Sequence, residues 1–206
     1  MGKHVEYRPE WVREDFIDFL AEKVNPLWAW KKAKARIVAK HHLSDDFVYI
    51  QLQPNHHFKA TDYQAGQSIL VTVLIAGVRW QRSYSIVEIL ENGNLVIAVK
   101  QQGKVSNALT QQPVKSVVEI SKTQGEFVLK SQPHSALMIA SGSGITAIYA
   151  LIKAALKSPQ TVSHIDLIYF TRDDAFHAEL QQLTEHYPQF KYHHFNTSVS
   201  YTHLTL

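Results

Sequence analysis

The chain has 206 residues, 45% of them hydrophobic, which suffices for one large domain or two small ones with ordinary cores. It carries 21 Lys and Arg against 18 Asp and Glu, and the net charge of +3 is too mild to imply nucleic acid by itself. It has no cysteine, which excludes disulfides, zinc–thiolate sites, thiol catalysis and a Cys-ligated iron–sulfur cluster within these residues.

The first ten residues, MGKHVEYRPE, contain no apolar core and so no secretory signal. Glu6 stands where myristoylation needs Ser or Thr, and no apolar run approaches the roughly 18 residues that span a bilayer. A cytoplasmic location is the resulting expectation. Val12, Phe16, Leu20 and Val24 recur at four-residue spacing among Arg13, Glu14, Asp18 and Glu22, which predicts an amphipathic helix ended by Pro26. Trp28 and Trp30 follow as a bulky apolar anchor. The helix reads as packed across the next domain, with contact to a membrane surface or a partner as the alternative.

From Ala33 to Lys130 the pattern is β-rich, with strands expected over Ala35–Lys40, Phe47–Gln53, Gln67–Val73, Arg79–Val87, Leu95–Gln101, Ser116–Ser121 and Phe127–Lys130. Asn92-Gly93 marks a hairpin turn, because both residues readily take positive φ. Antiparallel strands at this spacing predict a small Greek-key barrel. After Pro133 the rhythm changes: strand Ser135–Ala140, helix Ile145–Leu156, strand His164–Phe170, helix Ala175–His186, strand Phe190–Phe195. This βαβαβ order predicts a parallel sheet covered by helices, with a domain boundary near Ser131–Pro133. The fold class expected is therefore a two-domain α/β protein: an N-terminal helix, an antiparallel barrel and a partial parallel-sheet domain. Twelve histidines are present, but the pairs His41-His42, His56-His57 and His193-His194 are neighbours whose side chains diverge on a strand, and no metal site is expected.

Three segments carry chemistry. In GVRWQRSYSIV, Arg82-Ser83-Tyr84-Ser85 sets a fixed cation, a flat ring and a small hydroxyl in one extended run. Alternation puts Arg82 and Tyr84 on one side and Ser85 on the other. Such a set suits a large, flat, phosphorylated cofactor: Arg for a pyrophosphate, Tyr for a ring face, Ser for a ring-edge nitrogen. The run from Gly103 to Leu109 follows a strand, and Ser106 is placed to cap a helix whose first amides can hold an anion. Ser141-Gly142-Ser143-Gly144-Ile145-Thr146 follows the first parallel strand and opens a helix, where glycines let backbone amides approach a pyrophosphate. The third glycine of the usual dinucleotide fingerprint is missing.

Arg-x-Tyr-Ser, then Gly-x-x-Ser, then Gly-x-Gly opening a nucleotide domain, with Ala65-Gly66-Gln67 ahead of them, resembles the ferredoxin–NADP reductase superfamily over residues 25–196. Asn25-Pro26-Leu27-Trp28 and the run ARIVAKHHLSDDFVYIQLQP look most like its flavodoxin-reductase-like, iron–sulfur oxidoreductase branch, which feeds electrons to ferredoxins or fatty-acyl desaturases. The resemblance implies an FAD-binding barrel over residues 33–131 and an NAD(P)-binding domain over 132–198, after a helical segment 1–32. It implies that Arg82 pairs with the FAD pyrophosphate and that Tyr84 packs on the isoalloxazine, with Ser83 beside them. Ser85 hydrogen-bonds near flavin N5, which makes Tyr84 and Ser85 the catalytic pair. Gly103, Val105 and Ser106 hold the remaining pyrophosphate, and Gly142, Ser143, Gly144 and Thr146 cradle the nicotinamide nucleotide. Hydride would pass from NAD(P)H to FAD, and single electrons onward to an iron–sulfur acceptor. Arg172, after the second parallel strand, implies NADPH, while Asp173 and Asp174 keep NADH as the alternative. Asp174 is equally placed to cap the following helix.

Ala147 stands where the family usually has Pro, Ser68 where an aromatic follows Ala-Gly-Gln, and Ile86-Val87 where a more polar pair is usual. The family's two further parallel strands and that branch's appended four-cysteine ferredoxin domain are not in the sequence. The final residues, Val199–Leu206, resemble a translated sequencing adapter, so a truncated fragment with a non-native tail is expected, with impaired nicotinamide binding. The competing readings are a reductase component of an oxygenase or hydroxylase, a single-stranded nucleic-acid barrel, and a binding module without redox activity. The nucleic-acid reading lacks a dense Lys/Arg stripe beside Tyr49, Tyr63, Trp80 and Tyr84.

Overall fold

Period-two alternation of branched residues builds the first half of the molecule. In β1 (Lys34–His42) Ala35 and Ile37 are buried, and in β2 (Phe47–Pro54) Val48, Ile50 and Leu52 point the same way. With β3 (Ser68–Ile75), β4 (Val78–Ile89), β5 (Leu95–Lys100) and β6 (Val117–Ile120), they close an antiparallel barrel in the order β1-β2-β5-β4-β3-β6. Helix α1 (Lys104–Gln111) contributes Val105 and Leu109 to the barrel core. Each such fully buried aliphatic side chain contributes about 1.5–3 kcal/mol. This is a computed structural model, and it describes residues 20, 23–29, 31–129, 135–157 and 163–197.

The second half is a parallel sheet in the order β7-β8-β9: β7 (Ser135–Ser141), β8 (His164–Thr171) and β9 (Phe190–Asn196). Helix α2 (Ile145–Leu156) and helix α3 (His177–His186) pack with Met138, Ile165, Leu167 and Tyr169 in one core that also takes in Phe47, Val87 and Ala98 of the barrel. Lys153 on α2 pairs with Glu88 on β4 at 2.7 Å, a second link between barrel and sheet.

Several sequence expectations are corrected. Phe127–Leu129 forms no strand; Val128 N–H instead bonds back to Glu126 O, Leu129 packs into the second core, and Phe127 is exposed. The reason is a crossing. The Phe127 carbonyl passes over Gly66, where a Cβ would come within 1.9 Å of that oxygen, and Gly66 itself sits at φ +94°. Helix α3 starts at His177, not Ala175, because Phe176 takes φ +66° and breaks the helical turn. The Asp174 side chain does not cap it; the backbone carbonyl of Asp174 accepts His177 N–H. The expected helix over 12–24 lies outside the described residues except at Leu20, Lys23 and Val24, which are helical. Trp28 is 55% exposed and is no apolar anchor, while Trp30 lies outside the described residues. The segment is held by polar contacts instead: Lys34 Nζ donates to the Pro26 and Trp28 carbonyls, and Asn55 Nδ2 donates to Leu27 O and Lys32 O. Val199–Leu206 lies outside the described residues as well.

Burial of phenols gives the fold a defined alkaline limit. Burial, the largest cause in each case, pushes Tyr63, Tyr84 and Tyr169 from 10.0 up to about 12. The Tyr63 and Tyr169 hydroxyls also donate to the carbonyls of Ile86 and Gly142. Each group's folded-state value is raised, so its stabilisation is complete below pH 10.0 and is lost as pH rises through about 12. We expect the thermal midpoint to fall over that window, with tyrosinate absorbance growing in step with unfolding. Tyrosinate that grows in while the fold persists at its neutral-pH stability would show the phenols to be accessible.

Candidate functional site

The outer half of β4 is paired along only one of its edges. β3 pairs with it from Ser68↔Ser85 to Ile75↔Val78, but β5 reaches only Ile86, Glu88 and Ile89, past a bulge between Ile86 and Glu88. The stretch Trp80–Ser85 therefore presents an open backbone edge to the space above β5 and α1. For this reason Arg82, Ser83, Tyr84 and Ser85 all line one cavity, including the Ser85 that strict alternation places on the opposite side. Ser83 Oγ donates to Ser68 Oγ at 2.9 Å across the β3–β4 ladder, which engages that hydroxyl within the sheet.

The second wall is the start of α1. Ser106 is not the cap but the third helical residue, after the N-cap Gly103. Its Oγ folds back to accept the Gly103 and Gln102 amides at 3.0 and 3.3 Å, pinning the loop against the helix. The first intrahelical bond runs from Asn107 N–H to Gly103 O, which leaves the preceding first-turn amides facing outward. A third wall comes from the second half of the chain. β7 ends in a single 3₁₀ turn, Gly142–Gly144, that runs into α2, and Ser143, Gly144, Thr146 and Ala147 line the cavity from there. The Thr146 hydroxyl donates to Ser143 O at 3.0 Å and so stiffens the turn.

The cavity has a volume of about 500 Å³, in the range of small-molecule and cofactor sites. Arg82, Lys100 and Lys104 line it, with no carboxylate among its lining residues, and Trp80 and Tyr84 supply flat aromatic surface. Lys104 Nζ lies 4.2 Å from the centre of the Trp80 ring and so joins the first two walls. The Tyr84 hydroxyl is buried and has no hydrogen-bond partner among the described residues. Burial pushes its pKa up to about 12, and the neighbouring Arg82 charge pulls it part of the way back. Three cations, outward-facing helix amides, two aromatic faces and an orphaned phenol fit a flat ring system bearing a diphosphate.

Ten of the residues singled out in the sequence thus come together: Arg82, Ser83, Tyr84, Ser85, Gly103, Val105, Ser106, Ser143, Gly144 and Thr146. Gly142 and Arg172 do not line the cavity. Gly142 shapes the turn from behind, at φ +51°, with its carbonyl accepting the Tyr169 hydroxyl. Arg172 is exposed just past the C-terminal end of β8, because the cavity is walled by the ends of β7 and α2 and not by β8. Trp80, Lys100, Gln102 and Lys104 were not foreseen. Trp80 and Lys104 had a signal, since Trp80 shares the period-two face of Arg82 and Tyr84 and Lys104 stands inside Gly-x-x-Ser. Lys100 had none.

Elsewhere, Asp166 on β8 binds His164 Nε2 at 2.6 Å and His193 Nε2 at 3.4 Å. Among the described residues no group of three or more His, Cys, Asp or Glu is placed to hold a metal ion. Among them, too, no helix is long and apolar enough to cross a membrane.

Two family models match in tandem: an oxidoreductase FAD-binding domain over residues 34–129 and a ferric reductase NAD binding domain over residues 134–203. The chain is 30% identical over 179 residues to an NADPH oxidoreductase of Mycobacterium tuberculosis (81% of this chain, 46% of the relative). It is 28% identical over 177 residues to a flavohemoprotein of a Burkholderia species (82% and 44%). The chain thus spans less than half the length of either relative. Its fold is similar to that of the cytochrome b5 reductase domain of Ulva prolifera nitrate reductase, with a TM-score of 0.69 at 24% identity, covering 80% of this chain and 72% of that one.

Proposed function

The chain belongs to the ferredoxin–NADP reductase-like superfamily of FAD- and NAD(P)-binding oxidoreductases, and on that premise we propose that it works as an NADPH-dependent flavoprotein reductase, with FAD as its bound cofactor, delivering single electrons to a protein-bound metal centre. Bound FAD would supply the redox chemistry, accepting a hydride from the nicotinamide and releasing its electrons one at a time. One observation carries the reading. Segments from both halves, far apart in sequence, wall a single cation-lined cavity of about 500 Å³.

In this reading Arg82 pairs with the FAD pyrophosphate, and the outward amides at the start of α1, around Val105 and Ser106, hold its remaining oxygens. Gly103 lets the backbone come close, while the buried Ser106 hydroxyl keeps the loop in place. Tyr84 lies against the flavin ring and gives its orphaned hydroxyl an acceptor. Ser85, on the open edge of β4, hydrogen-bonds at the hydride-accepting edge of the ring. Ser143, Gly144 and the turn held by Thr146 and Gly142 receive the phosphates of the nicotinamide nucleotide. The exposed Arg172 favours a 2′-phosphorylated coenzyme.

The sequence resemblance favours an iron–sulfur acceptor, of the ferredoxin kind or serving a desaturase or oxygenase. A haem acceptor is the second reading, favoured by relatives named flavohemoprotein and cytochrome b5 reductase.

The test is flavin uptake. Purified with excess FAD and then desalted, the chain should stay yellow and release close to one FAD per chain on denaturation; a colourless chain defeats the reading. Ser85→Ala should keep the flavin but slow its reduction by NADPH roughly tenfold, the worth of one hydrogen bond made in the transition state. Reduction at the wild-type rate would remove Ser85 from the chemistry.

A further inference from the structure

Lys100 is the last residue of β5 and a wall of the cavity, yet its charge is directed to the other half of the chain. Its Nζ lies 3.0 Å from Asp173 Oδ2, in the segment after β8, with the two side chains only 18% and 15% exposed. The same Nζ sits 5.3 Å from the centre of the Phe47 ring. Asp173 Oδ1 accepts the Ala175 N–H at 3.0 Å, and Asp173 N–H donates to Thr171 Oγ1 at 3.2 Å. Both carboxylate oxygens are thereby turned inward. On the far side the segment is seated by Phe176, fully buried against Phe47, Tyr49 and Tyr149. Between the buried Thr171 and the engaged Asp173, Arg172 is left exposed.

In a βαβ nucleotide fold, an acid at the end of a strand binds the adenosine ribose hydroxyls and selects the coenzyme without a 2′-phosphate, whereas an arginine accommodates the phosphate. Here arginine and acid are adjacent, and the acid is taken up by a lysine from the other half. We propose that Lys100 is a positioning and specificity residue: by holding Asp173 inward, it leaves Arg172 to face a 2′-phosphate without competition from the Asp173 carboxylate. The inference rests on the NADPH reading above and adds the residue that enforces it. Without Lys100, Asp173 is an unpaired, partly buried carboxylate beside the phosphate site, repelling a 2′-phosphate and attracting a 2′-hydroxyl.

Calorimetry on the full chain with adenosine 2′,5′-bisphosphate and adenosine 5′-phosphate tests this without depending on flavin. Wild type should bind the bisphosphate the more tightly, and Lys100→Met should reduce that preference on the order of tenfold. Lys100→Arg should keep it, and the double variant Lys100→Met with Asp173→Asn should restore it to within about twofold, the pattern of a residue acting through its partner. A preference unmoved in Lys100→Met, or unrestored in the double variant, would overturn the proposal. If Lys100→Met does not fold, Lys100→Gln carries the same comparison. A wild type that retains FAD but does not discriminate the two nucleotides defeats the proposal and leaves the reductase reading standing. A chain that takes up no FAD defeats that reading, while the nucleotide comparison still decides the role of Lys100.

Discussion

Arg82→Ala should release FAD from the protein while leaving the fold intact. Arg82 stands in the exposed part of β4, where β3 pairs with its backbone through Val71 and the side chain belongs to no apolar core. Its removal should shift stability by no more than about 0.5 kcal/mol, as for most surface substitutions. The effect on binding is larger because the other two cations of the cavity are already engaged, Lys100 with Asp173 and Lys104 over Trp80. A guanidinium can grip a diphosphate through two parallel hydrogen bonds, and losing them should weaken FAD binding by roughly 100-fold. Arg82→Lys should fall between the two, since an ammonium supplies the charge without the planar fork. Flavin fluorescence on dilution reads this directly. Retention equal to wild type in Arg82→Ala would take the pyrophosphate away from this residue.

Phe176→Ala should be among the most destabilising single changes in the described part of the chain. Phe176 is completely buried, with ring centroids 6.0 Å from Phe47, 5.6 Å from Tyr49 and 5.2 Å from Tyr149. Truncating a buried phenylalanine costs about 3–5 kcal/mol, and alanine inherits the same left-handed φ, so no strain is relieved. Phe47 and Tyr49 belong to the barrel, Tyr149 to α2, and the ring joins the two halves. The loss should therefore also uncouple them. In urea, wild type should unfold with coincident tryptophan fluorescence and far-ultraviolet circular dichroism, whereas Phe176→Ala should separate the two transitions. A cost below about 1 kcal/mol, or transitions that stay coincident, would remove Phe176 as the link.

Much of the candidate site was legible in the residues themselves. Arg82, Tyr84 and Ser85, the glycines before the two helices and the order of the three segments point by themselves to a flavin dinucleotide and a nicotinamide nucleotide as the ligands. What alternation alone does not show is that Ser85 lines the same cavity as Arg82 and Tyr84, because whether a strand has a paired or an open edge depends on how far its neighbour extends. Ser106 has the sequence signature of a cap but sits inside the helix for a related reason: its hydroxyl binds the Gly103 amide from within the first turn. Phe127–Leu129 has the composition of a strand, yet the crossing over Gly66 takes it out of the sheet.

The sequence by itself determined the kind and order of the elements. Alternation in β1, β2 and β5, the Asn92-Gly93 turn and the switch to βαβαβ after Pro133 are local properties, set by which face each residue presents and which φ it tolerates. Only the tertiary structure decided what meets across the two halves. Lys100 and Asp173 lie 73 positions apart, and neither carries any mark of the other. The placement of Phe176 between Phe47, Tyr49 and Tyr149 is likewise invisible in one dimension. Periodicity reports that a face will be buried, and it carries no information about the surface that will bury it. That is fixed by how the closed barrel and the parallel sheet pack, and here the packing gives one lysine both a cavity wall and a carboxylate to hold.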